Sequence, residues 1–491
     1  MLSQFNDTAY IYTYGGIQND VCNQIKPTYD GGYIMIGTTN SFGCGNTSFY
    51  VIKTDSLCNH QWSRTYSGAM NQEGFSVATT FDKGYAFLGF TDSYGAGGYD
   101  VLLVKTDSLG KVQWQKTYGG SDWDFGYSLQ QLPDSGFIMC GLTYSFGPGN
   151  GNVYVIRIDK NGDTLWTRAI GGEGGYSIGN SICVHEDSLY AIIGATTSFG
   201  IGDTNIYFIL MDSKGMVKKY TTYGSTNDNV GNSIRGTVDR GFIVFGSTDS
   251  VEPGKPDEML LKLDSMGDMQ WMQIYHLSTG RNIGKDAIQA PDSSYLAVSA
   301  SNAGYGLGPE SMRIWHINIG GVPLSGPSFG GTGYQLGTSI ALAKNGNAVF
   351  VGATNSLGYT QGVYDVYVVR LKNDSVVNNY TLSIHLYKDT CLCIPTNTID
   401  QATIHPGIKI FPNPVKSSST ILVQGIAGAS YLFNIYNVFG QCIVQNASLQ
   451  PIGHEQSIAH IEKGGLASGI YICKIINQSG ITVATSKFII E

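Results

Sequence analysis

Gly175-Tyr176-Ser177-Ile178-Gly179 has the Gly-x-Ser-x-Gly spacing of a nucleophile elbow. That spacing does chemistry only on a sharp turn between a strand and a helix, where the serine hydroxyl stands clear of the backbone. The rest of the chain argues against such a context. Gly74-Phe75-Ser76-Val77, Gly126-Tyr127-Ser128-Leu129, Gly231-Asn232-Ser233-Ile234 and Gly337-Thr338-Ser339-Ile340 read the same way, each opening an apolar run. One catalytic serine needs no such echoes, so the motif reads as the start of a recurring strand. Asp159-Lys160-Asn161-Gly162-Asp163 suggests a calcium loop, but it lacks the distant bidentate glutamate and its counterparts are Asp-Ser-Leu-Gly turns. The eight histidines (His60, His185, His276, His316, His385, His405, His454, His460) share neither an i, i+4 pairing nor a repeat position. Cys391 and Cys393 have no second pair at zinc spacing. We expect no catalytic residue and no metal site.

What the sequence offers for chemistry is a surface. Asp20, Asp122, Trp123, Asp124, Tyr176, Asp228 and Tyr334 fall between strand-like runs and differ from copy to copy. Variation on a constant scaffold is where a site belongs. Aromatic rings beside carboxylates suit sugars, whose apolar faces stack while their hydroxyls bond to acids, and carboxylates also suit Ca²⁺, the one cofactor considered. A second set holds Asp92, Asp203, Asp249, Asp257 and Asp365 with Tyr94, Phe146, Phe199 and Tyr305. Its recurring Ser-Phe/Tyr-Gly reads more plainly as a packed loop anchor.

The elements that must position these residues repeat. Trp62, Trp114, Trp166 and Trp271 each follow an Asp by seven positions (Asp55, Asp107, Asp159, Asp264), and with Asp212 the period is about 52 residues. In the second copy, Ser76–Thr80, Gly84–Phe90, Asp100–Lys105 and Lys111–Lys116 are strand-like, joined by Asp-Lys-Gly and Asp-Ser-Leu-Gly turns. Seven copies of four strands predict an all-β chain, a seven-bladed β-propeller over residues 1–387. The seventh copy lacks a fourth strand after Asp365–Leu371, which Asn6–Tyr12 is expected to supply; Ser375–Tyr387 competes for that role.

Composition agrees. Of 491 residues only 13% are charged while Gly numbers 65 and Tyr 31, a bias toward short strands and tight turns rather than helices. The net charge of −8 argues against nucleic acid, and no run approaches the 18 apolar residues of a membrane span. No leader is visible at Met1-Leu2-Ser3-Gln4, so we expect the numbering to begin after one. Nine cysteines at irregular spacing fix no framework, although Cys22 and Cys44 should share a loop face and could be bonded.

Residues 388–405 read as a linker, and seven alternating runs from residue 406 predict a small Ig-like β-sandwich. Within it come Ile410-Phe411-Pro412-Asn413-Pro414-Val415, Ile435-Tyr436-Asn437-Val438-Phe439-Gly440-Gln441, Leu466-Ala467-Ser468-Gly469-Ile470-Tyr471 and Ser486-Lys487-Phe488-Ile489-Ile490. In that order and spacing, residues 408–491 resemble the type A C-terminal sorting domain of the type IX secretion system. The resemblance implies export by that machinery, with Pro412, Asn413, Pro414, Gly440, Gly469, Tyr471 and Lys487 as its motif residues. It also implies release or anchoring at the outer cell surface. The repeats are similar to propeller repeats of secreted bacterial proteins. The expectation is a secreted, non-enzymatic module binding glycan or a surface protein. A hydrolase or lyase with its site at the propeller axis, or a structural part of a surface layer, are the rivals.

Overall fold

The computed structural model describes residues 8–185, 189–276, 280–302, 308–343 and 348–371 apart from 359 and 361, then 381–389, 392–395, 407–411, 417–424, 432–437, 442–453, 456–462, 466–476 and 482–490. Among these residues every regular element is a strand. The chain divides into two units, Met1–Asn397 and Thr398–Glu491.

The first unit is a succession of sheets, seven among the described residues, four of them four-stranded and antiparallel in the manner of propeller blades and three with a fifth strand added to that plan. The first sheet is Asp20–Pro27, Tyr33–Thr39, Ser48–Thr54 and His60–Ser67. The next five begin at Gln72, Asp124, Ser177, Asn229 and Asn282. The seventh is Gln335–Leu342, Ala348–Thr354 and Asp365–Leu371, completed by the N-terminal strand Thr8–Gly15, which pairs antiparallel with Asp365–Leu371 from Ala9↔Leu371 to Tyr14↔Val366. Each first strand packs against the first strands of the sheets before and after it, and Asp20–Pro27 packs against Gln335–Leu342. The succession therefore meets its own beginning.

Packing explains the sequence pattern. Second and third strands such as Tyr85–Thr91 and Asp100–Thr106 are buried at every position, because sheets cover them on both faces. The fourth strand Met269–Tyr275 is largely exposed. Close approach requires glycine in the second strand, where a Cβ on Gly141 would collide with the Phe125 carbonyl oxygen. The opening strand carries a bulge, between Gly126 and Ser128 in the third sheet. Its register aligns Gly74-Phe75-Ser76 with Gly179-Asn180-Ser181 in the fourth sheet, not with Gly175-Tyr176-Ser177. Ser177 is the first residue of its strand, and its hydroxyl pairs with Thr196 Oγ1 at 2.8 Å. No helix follows, so the elbow reading lacks its context.

Neighbouring sheets are joined by repeated polar staples. Hydroxyls at the bulge accept backbone N–H groups from the next sheet: Leu129 donates to Ser76 Oγ at 3.1 Å, Ile182 to Ser128 Oγ at 3.1 Å, and Ile234 to Ser181 Oγ at 3.3 Å. At the outer edge the Tyr66 hydroxyl donates to the Gly110 carbonyl at 2.7 Å and Tyr118 to Gly162 at 2.8 Å. The Asp-to-Trp spacing follows from the same contact, since the fourth strand grips the third-to-fourth turn of the next sheet. Arg64 Nε donates to Leu109 O at 2.9 Å, and Trp166 Nε1 to Ser213 O at 3.2 Å. Asp159 is a turn residue of this kind, with its Oδ1 accepting Asn161 N and Asp163 N at 2.8 Å each.

The seam between the seventh and first sheets uses this staple and adds a strap. Tyr14 donates to the carbonyl of Cys58, which takes a positive φ of 66° in place of the usual turn glycine. Thr381–Lys388, the rival donor, pairs in parallel outside Thr8–Gly15 as a fifth strand. Leu392–Pro395, expected in a linker, instead pairs in parallel with Arg64–Ser67 on the first sheet. Between them Asp389 is buried, receives the Tyr50 hydroxyl at 2.6 Å and donates its N–H to Gly15 O at 3.0 Å.

Cys22 is a free, buried thiol donating to Gln24 O and Ile36 O at 3.6 Å, so the Cys22–Cys44 bond that the loop positions allowed is not formed. Its side chain points into the core between sheets, not toward the loop face. Cys44 is disulfide-bonded.

The second unit has two four-stranded sheets around one core. Gly407–Phe411, Ser418–Gln424, Gln456–Glu462 and Gln450–Gly453 form one; Cys442–Ser448, Leu432–Asn437, Gly469–Ile476 and Thr482–Ile490 form the other. Ile421, Ala459 and Ile461 from the first meet Phe433, Ile435, Cys473 and Ile475 from the second. Gln450–Gly453 is one strand more than the sequence pattern shows.

Candidate functional site

First-to-second and third-to-fourth turns fall at one end of the first unit, and the longer loops fall at the other. On that loop end the structure sorts the candidate residues into two kinds. The first residue of each opening strand is polar and buried: Asp20, Gln72, Asp124, Ser177, Asn229, Asn282 and Gln335. These side chains hold the Ser-Phe/Tyr-Gly loops. Asp20 accepts Thr39 Oγ1, Ser41 Oγ at 2.7 Å and Gly16 N at 2.7 Å; Asp124 accepts Ser145 Oγ and Gly120 N, both at 2.7 Å. Burial and these bonds keep Asp20 and Asp124 from an incoming ligand. Phe146 and Phe199 anchor their loops against Tyr154 and Tyr207, with ring centroids 5.7 and 5.6 Å apart. Asp257 and Asp365 are buried as well, while Asp203 is exposed and Tyr305 lies outside the described residues.

The other candidates are open. Trp123 is 51% exposed and Tyr334 43%; Asp122 and Asp228 are exposed and Tyr176 is half-buried. The structure brings Trp123 and Tyr176 together through Tyr144, at centroid distances of 6.3 and 6.4 Å. Asp122 flanks Trp123. Asp228 and Tyr334 belong to loops of the fifth and seventh sheets, apart from this group.

Around Trp123 lies a cluster that the sequence pattern did not reveal. Tyr99 meets the indole at 5.9 Å, and Phe90 meets Phe125 at 4.8 Å. Phe125 and Tyr127 stack at 6.2 Å and 4°, and Phe75 meets Tyr127 edge-on at 5.3 Å. Opening strands position Phe75, Phe125 and Tyr127 around the bulge, while Phe90 comes from the second strand Tyr85–Thr91 and Tyr99 immediately precedes the third strand Asp100–Thr106. The signal lay in comparing copies by column: Phe75 and Tyr127 occupy a position held by Asn23, Asn180, Asn232, Lys285 and Thr338 elsewhere.

Burial keeps the Tyr127 and Tyr176 hydroxyls protonated. Burial, then the neighbouring Tyr176, Tyr144 and Glu73, raises Tyr127 well above the usual phenol range, and burial pushes Tyr176 up to about 12. Burial also raises Glu73 above the usual carboxylate range. The arrangement offers stacking faces rimmed with hydrogen-bond donors and acceptors. His276 Nδ1 lies 2.8 Å from Asp257 Oδ2, but among the described residues no hydroxyl or thiol bonds to that ring.

A larger groove, about 910 Å³, lies at the opposite end and is lined by Trp166, Arg168, His185 and Tyr190. Its counterpart at Trp62, Tyr85 and Leu109 marks it as a product of the repeat geometry.

In the second unit Tyr471 is buried, its hydroxyl donating to Ala467 O at 2.9 Å; Gly469 opens that strand, and Lys487 pairs with Ile472 across the sheet. Pro412, Asn413, Pro414 and Gly440 lie outside the described residues. Residues 409–491 match the family described as "Secretion system C-terminal sorting domain". This segment is a type IX sorting domain. The sorting domain marks the chain for export, to secretion or attachment at the cell surface, and for handling by the type IX machinery. No helix among the described residues is long and apolar enough to cross a membrane. Among curated proteins none matches the chain in sequence. Among solved structures, a fungal alcohol oxidase of the AA5 family shares 12% identity at a TM-score of 0.38, covering 98% of each chain. A puromycin hydrolase shares 11% at 0.45, covering 83% of this chain and 59% of its own. A PL25 ulvan lyase shares 8% at 0.43, covering 69% and 93%. Likenesses this distant say nothing about activity.

Proposed function

We propose that the chain is a cell-surface-displayed, non-enzymatic glycan-binding protein: a seven-bladed β-propeller (residues 1–387) carried outward by an Ig-like sorting sandwich (residues 406–491). The observation that carries this reading is the continuous aromatic surface from Trp123 through Tyr144 to Tyr176, backed by Tyr99, Phe125 and Tyr127. Exposed rings at this spacing suit the apolar faces of consecutive sugar residues, and the phenols and Asp122 suit their hydroxyls. A surface protein is the other partner such a patch fits, and Ca²⁺ dependence is the further variable. The test is a glycan array probed with the full chain and with Trp123→Ala, each with and without Ca²⁺. Binding by the native chain and its loss in the variant is the expected result. Equal array signals for the two would remove the patch from consideration.

A further inference from the structure

The aromatic cluster ends at a charged cavity. Phe75 and Tyr127, its innermost rings, also line a cavity of about 110 Å³ enclosed by the opening strands. Arg235, Lys285, Asp286 and Ser233 line it too. Arg235 binds Asp286 twice, Nε to Oδ1 at 3.2 Å and Nη2 to Oδ2 at 2.8 Å. Asp286 Oδ2 also accepts Ser339 Oγ at 3.0 Å and Ile340 N at 3.2 Å. The cavity's carboxylate is thus neutralised and saturated by its own partners, and two lysine side chains remain beside it. Among the described residues the Lys285 ammonium makes no hydrogen bond or ion pair, and burial lowers its pKa. Lys26, from the first sheet, lies close enough to Arg235 and Asp286 for both to act on it; burial and the Arg235 charge bring it down to about 7.

A second, independent feature is a hydroxyl with nothing to bond. Ser233 is 6% exposed and its Oγ has no hydrogen-bond partner among the described residues, although Ser76, Ser128 and Ser181 at the same strand position each accept a backbone N–H. A buried hydroxyl left without a partner is destabilising unless something fills its site. At roughly 30 Å³ per water the cavity holds three or four waters, or the head of one carboxylate or sulfate.

We propose that this cavity seats an oxyanion carried on a sugar, so that the glycan held by the aromatic cluster is an acidic one, its carboxylate or sulfate reaching Lys285 and Ser233 past Phe75 and Tyr127. This rests on the glycan reading of the cluster. Two carboxyls act near the mouth, Glu73 on Tyr127 and Glu310 on Lys285, and burial holds both toward the neutral form.

The experiment is calorimetric titration of the full chain, and of Lys285→Gln, Lys285→Arg and Trp123→Ala, with polygalacturonate, a sulfated galactan and neutral dextran. A parallel arm compares melting temperature in sodium sulfate and in sodium chloride at equal ionic strength. At least tenfold tighter binding of one acidic polymer is expected, erased by Lys285→Gln, kept by Lys285→Arg, and weakened by Trp123→Ala. Whether the uronate or the sulfated polymer binds identifies the source of the oxyanion. Equal binding of acidic and neutral polymers, unchanged in Lys285→Gln, overturns the anionic assignment while leaving the aromatic site standing. Acidic binding that survives Trp123→Ala but not Lys285→Gln sinks the aromatic reading alone. If no polymer binds, a sulfate-specific melting shift absent in Lys285→Gln keeps the oxyanion site without a glycan. Absence of that shift as well, with the cavity holding water only, removes both.

Discussion

Trp123 and Asp124 are neighbours in sequence and opposites in role. The indole is exposed, whereas the carboxylate is buried under Ser145 and Gly120. Trp123→Ala should leave the denaturation midpoint almost unchanged, within about 0.5 kcal/mol, while ligand binding is lost. Asp124→Ala strands two donors and should lower stability by about 1–3 kcal/mol. Urea unfolding of the two variants separates these outcomes. Glu258 offers a pH-dependent counterpart. Fully buried beside Ser299 and Trp315, it is raised from 4.5 to about 7, chiefly by burial. A carboxyl whose folded pKa stands above its unfolded value holds its proton more tightly when folded. Its protonated form is therefore the stabilising one, and that stability is lost as pH rises from 4.5 through about 7. The loss is on the order of 3 kcal/mol, and Glu258→Gln should flatten it in a series of melting curves.

At the scale of elements, the seam is the place where repetition alone cannot hold the unit together. Its two sheets are brought together by strands from the two ends of the repeat region. Tyr12 stacks on His385 at 4.9 Å and Tyr14 on Tyr387 at 5.4 Å, with Asp389 pinned between. Asp389→Ala removes the carboxylate that receives the Tyr50 hydroxyl and should lower stability by about 1–3 kcal/mol. Limited proteolysis should then cut the variant first within 381–395, before any interior sheet. Cleavage beginning in the second to fifth sheets would show that the strap does not secure the seam.

For the whole molecule, the sorting domain and the chemistry of the cysteines agree. A bonded Cys44 fits an oxidising destination outside the cytoplasm. Mass mapping of the exported protein should find Cys44 in a disulfide and Cys22 as a thiol. Removing residues 409–491 should leave the chain inside the cell, and fractionation followed by immunoblotting reads this directly. Export undiminished by the deletion would detach the sorting domain from transport.

Much of this architecture is legible in one sequence because it rests on local chemistry. Asp-x-x-Gly turns, continuous apolar runs in doubly covered strands and a period near 52 residues are properties of short segments, and repetition averages away their ambiguity. The sorting domain is legible for the same reason, being four short pieces at set spacing. What the tertiary structure alone decided is how distant segments meet. Asp20 and Asp124 looked like ligand carboxylates until Ser41 and Ser145, two dozen positions or fewer away, closed over them. Cys22 and Cys44 looked like partners until the strand register turned Cys22 inward. The cavity joins Lys285, Arg235 and Ser233 with Tyr127 from three sheets, and linear spacing does not encode that convergence, because it follows from how the sheets pack around their common centre.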